Sequence, residues 1–142
     1  MSEIKSHKDL RVYQLSFENG MKIFHISRSF PIEERYSLTD QIRRSSRSVS
    51  ANLAEAWRKR RYEKAFIAKL SDVETEAAET QVWLDYAYEC KYLNKEDYKQ
   101  LIRDYERIIA MVVKMIINPD KWIINGEIGR AVHQESRDRS RI

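Results

Sequence analysis

A chain of 142 residues is long enough to bury a core of its own, but three glycines and two prolines leave little material for tight turns. Plentiful Ala, Glu, Lys, Arg and Leu, with no alternating strand pattern, argue against a β-rich domain and predict a few long helices. The net charge of +4 and pI of about 9.2 are too mild to mark a nucleic-acid binder alone, and a single cysteine, Cys90, excludes an internal disulfide and a Cys-based metal cluster.

The first helix is expected over Lys8 to Ser29, with Leu10, Tyr13, Phe17, Gly20, Phe24 and Ser27 as its seam at 3-4-3-4 spacing. Gly20 costs the helix about 1 kcal/mol relative to Ala; it marks either simple tolerance or the close approach of a neighbour. Phe30-Pro31 ends the helix, because the residue before proline is pushed out of the α region. A short polar connection, Pro31 to Tyr36, leads to a weak capping-box variant at Ser37 and Asp40.

The second helix is expected to run to Lys59, with Arg60 to Tyr62 either a tight corner or a continuation into the third. The third spans Tyr62 to Tyr92, about 45 Å, on the stripe Phe66, Leu70, Val73, Ala77, Thr80, Leu84 and Ala87. Trp83, Tyr86 and Tyr88 lie off that stripe. Asn94 and Asp97 cap the fourth helix, Lys95 to Ile117, with the stripe Tyr98, Leu101, Tyr105, Ile108, Val112 and Met115. Asn118-Pro119 stops it. Trp122, Ile123 and Ile124 are expected to fold back, and the polar remainder to be a mobile tail. The prediction is an all-α, antiparallel up-and-down four-helix bundle over residues 1–119, with an irregular C-terminal tail over 120–142.

Little catalytic chemistry is available. A di-iron bundle needs Glu-x-x-His on two helices, but His7, His25 and His133 follow Ile4, Lys22 and Arg130 at that spacing. There is no Gly-rich phosphate loop and no nucleophile elbow. Cys90 has no activating partner in view and is expected to be buried. Asn52 and Glu55 read as a hydrogen-bonding pair toward a neighbouring helix or an arginine. The expectation is a protein that is not an enzyme and uses no metal or cofactor. Without an apolar leader, and with Lys114 interrupting its longest apolar run, it is expected in the cytoplasm, with no membrane partner.

The second helix carries the most specific signal. At 100° per residue, Ile42, Ser46, Val49, Leu53, Ala56 and Trp57 share one arc. Arg43, Arg44, Arg47, Arg58 and Arg61 share the opposite arc, with Ser50, Ala51 and Ala54 as a small-residue waist. Lys59, Arg60 and Lys64 extend the cluster. Arginine forks match phosphate oxygens, so these eight residues are the candidate nucleic-acid site, with Tyr62 placed to stack on a base. A second reading stays open. Ser71 to Cys90 holds six acidic residues and no Lys or Arg, so the arginines equally suit acidic helix 3, within a subunit or between subunits.

The segment FPIEERYSLTDQIRRSSRSVSANLAEAW resembles the central signature of the four-helix-bundle proteins encoded in intervening sequences of bacterial 23S rRNA genes. The matching positions are Phe30-Pro31, Glu34, Tyr36, Leu38, Gln41, Arg43, Arg44, Asn52, Ala54 and Glu55. HKDLRVYQLS and KLSDVETEAAETQVWLDYAYECKYL resemble the first and third helices of that family, and the likeness covers about Lys8 to Ile117. A glycine common after Asn-x-Ala-Glu is Ala56 here, so the second helix is expected to run further. The resemblance implies a homo-oligomer, with a pentamer as the expected assembly, and a binding or scaffolding role. A related bundle is the accessory subunit of a retroelement reverse transcriptase and contacts both that enzyme and nucleic acid. Residues and resemblance together predict a homo-oligomeric bundle that binds RNA, DNA or a ribonucleoprotein through the basic helix. The alternatives are a protein-only adaptor or assembly module and a reverse-transcriptase accessory subunit.

Overall fold

The computed structural model describes residues 3–124; the tail expected beyond Ile124 lies outside the described residues. Four long helices are present, α1 (Arg11–Ser27), α2 (Leu38–Arg58), α3 (Glu63–Glu89) and α4 (Lys95–Ile117). Single 3₁₀ turns at His7–Asp9, Ile32–Glu34 and Pro119–Lys121 complete the described regular structure. Each helix packs on its chain neighbours, and α1 closes the ring against α4. Paired residues show the direction of each contact. Ser16 meets Ser50 and Ser27 meets Arg43, Ser45 meets Thr80 and Asn52 meets Lys69, and Gln81 meets Glu106 and Asp85 meets Tyr98. As one number rises its partner falls, so every neighbouring pair is antiparallel.

Three helices bury the expected stripes. On α3 the buried residues are Phe66, Leu70, Val73, Ala77, Thr80, Leu84 and Ala87. On α2 the stripe from Ile42 to Trp57 is buried, joined by Leu38, Thr39 and Ser45. On α4 it is Leu101, Tyr105, Ile108, Val112 and Met115, with Tyr98 half-buried. Ile123 is buried and Trp122 half-buried, so the chain does fold back onto the bundle.

The first helix differs from expectation. Its buried residues are Val12, Leu15, Ser16, Asn19, Ile23 and Ser27, whereas Phe17 is 52% exposed. Val12, Leu15 and Ile23 turn inward, and the polar residues buried with them find partners on other helices. Ser16 shares a hydrogen bond with Ser50 at 2.9 Å, and Asn19 accepts from Gln100 at 3.0 Å. The aromatic stripe is thereby rotated to the flank, where it walls a groove against α2. A Cβ at Gly20 would meet the Ser46 carbonyl oxygen at 3.9 Å, an ordinary contact. Gly20 therefore lies beside α2 but is not forced by crowding.

Helix ends bring further corrections. Ser6 and Asp9 form a capping box that closes the 3₁₀ turn, so α1 starts at Arg11 rather than Lys8. Ser37 is the N-cap of α2 but makes no side-chain capping bond. Asn94 does cap α4, accepting the Asp97 N–H at 2.8 Å. At the end of α3, Lys91 takes a left-handed φ of 65° without being glycine. The Tyr92 N–H then reaches back to the Ala87 carbonyl at 2.9 Å, which closes the helix. Cys90 caps this end and is exposed, not buried. Helix α2 stops at Arg58, and Lys59 to Tyr62 form a corner rather than a continuation.

Candidate nucleic-acid interface

The corner between α2 and α3 gathers most of the basic residues. Arg58, Lys59, Arg61 and Lys64 are exposed there, and Tyr62, the α3 N-cap, is 55% exposed. Seven residues from Arg58 to Lys64 carry five Lys or Arg against one acid, Glu63. Because α2 ends at Arg58, Arg61 leaves the arc of Arg43 and Arg47 and belongs to this corner.

Arg60 differs from its neighbours. Its guanidinium carbon lies 3.4 Å from the Trp57 ring centroid, and its Nε donates to the Trp57 carbonyl at 2.8 Å. Burial, then the charge of Arg58, pushes its guanidinium below its ordinary pKa. Its own carbonyl accepts the Ile124 N–H at 3.2 Å. Arg60 thus closes the bundle end, and the exposed cations stand around it.

Further along α2 the arginines diverge. The Arg43 Nε donates to Ser27 Oγ at 2.8 Å, and its guanidinium carbon is 5.0 Å from the Phe24 centroid. Arg47 lies over the same ring at 5.9 Å. Arg44 is exposed toward α3, where its charge partly offsets the upward pKa shift of Glu76; that shift comes first from desolvation, then from Glu79 and Asp72. The eight candidate residues therefore form an α1-facing pair, one α3-facing arginine and a corner cluster. Phe24, which seats two of them, carried no sequence signal, because it reads as a core residue.

Among the described residues, the acidic run of α3 from Asp72 to Glu89 makes no ion pair with the eight candidate cations. Its Asp72 pairs with Lys69, at 3.8 Å, and Asp85 accepts the Tyr98 hydroxyl at 2.6 Å. Lys69 also pairs with Glu55 at 3.2 Å and reaches Asn52 Oδ1 at 3.4 Å. The partner of Asn52 and Glu55 is thus a lysine of the neighbouring helix. Between α1 and α2, Phe17, Met21, Ser50, Ala51 and Ala54 line a groove of about 280 Å³ with Arg47 at its edge. Among the described residues no His, Cys, Asp or Glu cluster can hold a metal ion, and no helix is long and apolar enough to cross a membrane.

A family model described as 23S rRNA-intervening sequence protein matches residues 8–114. A crystal structure of a protein of unknown function, from the S23 ribosomal protein family of Bacteroides thetaiotaomicron, shares the fold. It has a TM-score of 0.66 and 28% identity, over 74% of this chain and 97% of that one. No curated protein matches the chain.

Proposed function

The chain belongs to the 23S rRNA-intervening sequence protein family, and from its geometry we propose a non-enzymatic bundle that binds RNA or a ribonucleoprotein through the α2–α3 corner. The observation that carries this reading is the concentration of exposed Arg58, Lys59, Arg61 and Lys64 around exposed Tyr62. Arginine and lysine there meet phosphates, and the tyrosine offers a stacking face to an unpaired base. Arg60 holds the corner in shape, and Arg43 and Arg47 extend the positive field along α2.

Binding of a structured RNA, followed by anisotropy over a salt series, tests this. Arg58→Ala/Arg61→Ala/Lys64→Ala is expected to weaken binding and to reduce the salt slope by about three, one unit per lost phosphate contact. Equal affinity and slope in both proteins would sink the reading.

A second reading, a homo-oligomeric assembly module, is favoured by the α1–α2 groove. Exposed Phe17 and Met21 stand beside Arg47, while α3 presents Val82 and Tyr86 among Glu79, Asp85 and Glu89. A basic-edged apolar groove and an acidic apolar face on one chain suit head-to-tail contacts that close into a ring. Light scattering of Phe17→Glu tests it: an unchanged mass rules out this interface. The two readings are compatible, since a ring multiplies each corner. The reverse-transcriptase accessory role rests on the resemblance alone.

A further inference from the structure

At the opposite end of the bundle, α1 hands over to α2 through the turn at Pro31. Arg28 caps the C-terminus of α1, Arg35 ends the Ile32–Glu34 turn, and Arg43 lies in the second turn of α2. The chain reversal brings all three to the wall of one open concavity of about 400 Å³, beside Ser27 and Thr39. No acidic residue lines it. The ion pairs among the described residues join Lys22 to Asp97, Lys69 to Glu55 and Asp72, and Arg107 to Asp104, and none involves the three arginines.

A structural role explains part of this cluster. Arg28 suits the negative end of the α1 dipole, and Arg43 is seated on Ser27 and Phe24. Neither role accounts for Arg35, or for three like charges on one wall that no ion pair engages. Their common complement is an oxyanion. Guanidinium forks match phosphate oxygens in pairs, and Ser and Thr hydroxyls supplement them. A phosphodiester brings a single negative charge. A phosphomonoester brings about −1.5 to −2 at neutral pH, the better match for three arginines. Beside the wall, Ile32 is 83% and Tyr36 86% exposed, with the Arg35 guanidinium carbon 5.8 Å from the Tyr36 centroid. An open aromatic face next to a phosphate-matching arginine is the arrangement that holds an unpaired nucleotide.

We propose that this concavity binds the terminal phosphomonoester of a single-stranded nucleic acid, with Tyr36 stacking on the terminal base. The strand rests on the nucleic-acid reading above, but the pocket is separate from the corner: α2, 21 residues long, puts about 30 Å of helix between them.

The test compares short single strands that end in a 5′-phosphate, in a 3′-phosphate, or in hydroxyls at both ends. At least one phosphorylated strand is expected to bind about tenfold more tightly than the hydroxyl strand, a difference of about 1.4 kcal/mol. That advantage is expected to vanish in Arg28→Ala/Arg35→Ala and to shrink in Arg28→Lys/Arg35→Lys, which keeps the charge and loses the forks. It is expected to survive Arg58→Ala/Arg61→Ala/Lys64→Ala. Equal binding of all three strands, weakened only by the corner substitutions, would overturn the pocket and leave the corner reading intact. Inorganic phosphate titrated against the arginine Nε–H resonances reports the pocket without a strand. Saturable shifts at Arg28 and Arg35, together with failure of all three strands to bind, would overturn the strand-end assignment and the corner reading together, leaving a small-anion site. Absence of shifts and of strand binding overturns all three.

Discussion

Arg60 is bound twice to Trp57, with its guanidinium carbon 3.4 Å from the indole centroid and its Nε 2.8 Å from the Trp57 carbonyl. Trp57 itself is buried, so this pair closes the end of the core. Removing Arg60 takes away a cation–π contact, a hydrogen bond to the end of α2 and cover over an apolar ring. Arg60→Ala is expected to lower stability by about 1–2 kcal/mol, read as a lower denaturant midpoint with altered tryptophan emission. Arg58→Ala, at an exposed position, is expected to stay within about 0.5 kcal/mol of the parent. Equal effects of the two substitutions would mean that Arg60 is one more surface cation.

Thr80 and Ser45 meet inside the α2–α3 contact, where both are buried. The Thr80 Oγ1 lies 2.9 Å from Ser45 Oγ and 2.9 Å from the Glu76 carbonyl, and Ser45 Oγ reaches the Ile42 carbonyl at a long 3.4 Å. Thr80→Val keeps the shape but leaves Ser45 with that long bond. It is expected to cost about 1–2 kcal/mol, the penalty of an ill-satisfied buried hydroxyl. Adding Ser45→Ala removes the stranded group, so the double variant is expected to recover part of the loss. Strict additivity in a double-mutant cycle would show that the two hydroxyls do not depend on each other.

These two pairs illustrate what the amino-acid order could and could not reveal. Helices α2, α3 and α4 each carry one apolar stripe, and the stripe alone names the buried residues. Helix α1 carries two interleaved stripes. The buried one includes Ser16 and Asn19, whose partners Ser50 and Gln100 are distant in sequence and give no local signal. The left-handed turn at Lys91 leaves no trace, because glycine usually marks such a position and a lysine stands there. At the candidate interface the identity and rough position of the cations were legible. The direction of each guanidinium was not, since it depends on which ring or acid a neighbouring helix supplies. Arg43 and Arg47 turn to Phe24, Arg44 to the side of Glu76, and Arg60 to Trp57. Arg28 reads as a last-turn residue of the first helix and Arg35 as a loop residue, until the antiparallel register sets them beside Arg43.

Tyr105 lies at the centre of the bundle, fully buried, and its hydroxyl has no hydrogen-bond partner among the described residues. Burial, with a smaller contribution from Asp104, raises the phenol well above its ordinary pKa, so the group is held neutral. A buried hydroxyl without a partner bears its desolvation cost without return. Tyr105→Phe keeps the ring and removes that atom, and it is expected to raise stability by about 1 kcal/mol. Thermal unfolding at fixed protein concentration measures it. A drop in midpoint would show that the hydroxyl is satisfied in solution.

Glu76 gives the fold an acid-side signature. Desolvation is the main cause of its raised pKa, followed by the charge of Glu79, a hydrogen bond with Glu79 and the charge of Asp72; Arg44 works in the other direction. A carboxyl whose pKa is higher folded than unfolded holds its proton more tightly in the native state. Between the unfolded value and the raised folded one, the native chain carries more bound proton. Its contribution to stability therefore falls as pH rises through that window, and above it a constant penalty remains. Glu76→Gln removes the ionisable group. It is expected to stabilise the protein at neutral pH, with the advantage shrinking as pH falls through the folded pKa of Glu76 and vanishing below the unfolded one. Urea midpoints of the two proteins across the acid range check this. A gap that stays constant with pH would assign the effect to packing, and a widening gap toward acid would reverse the sign of the argument.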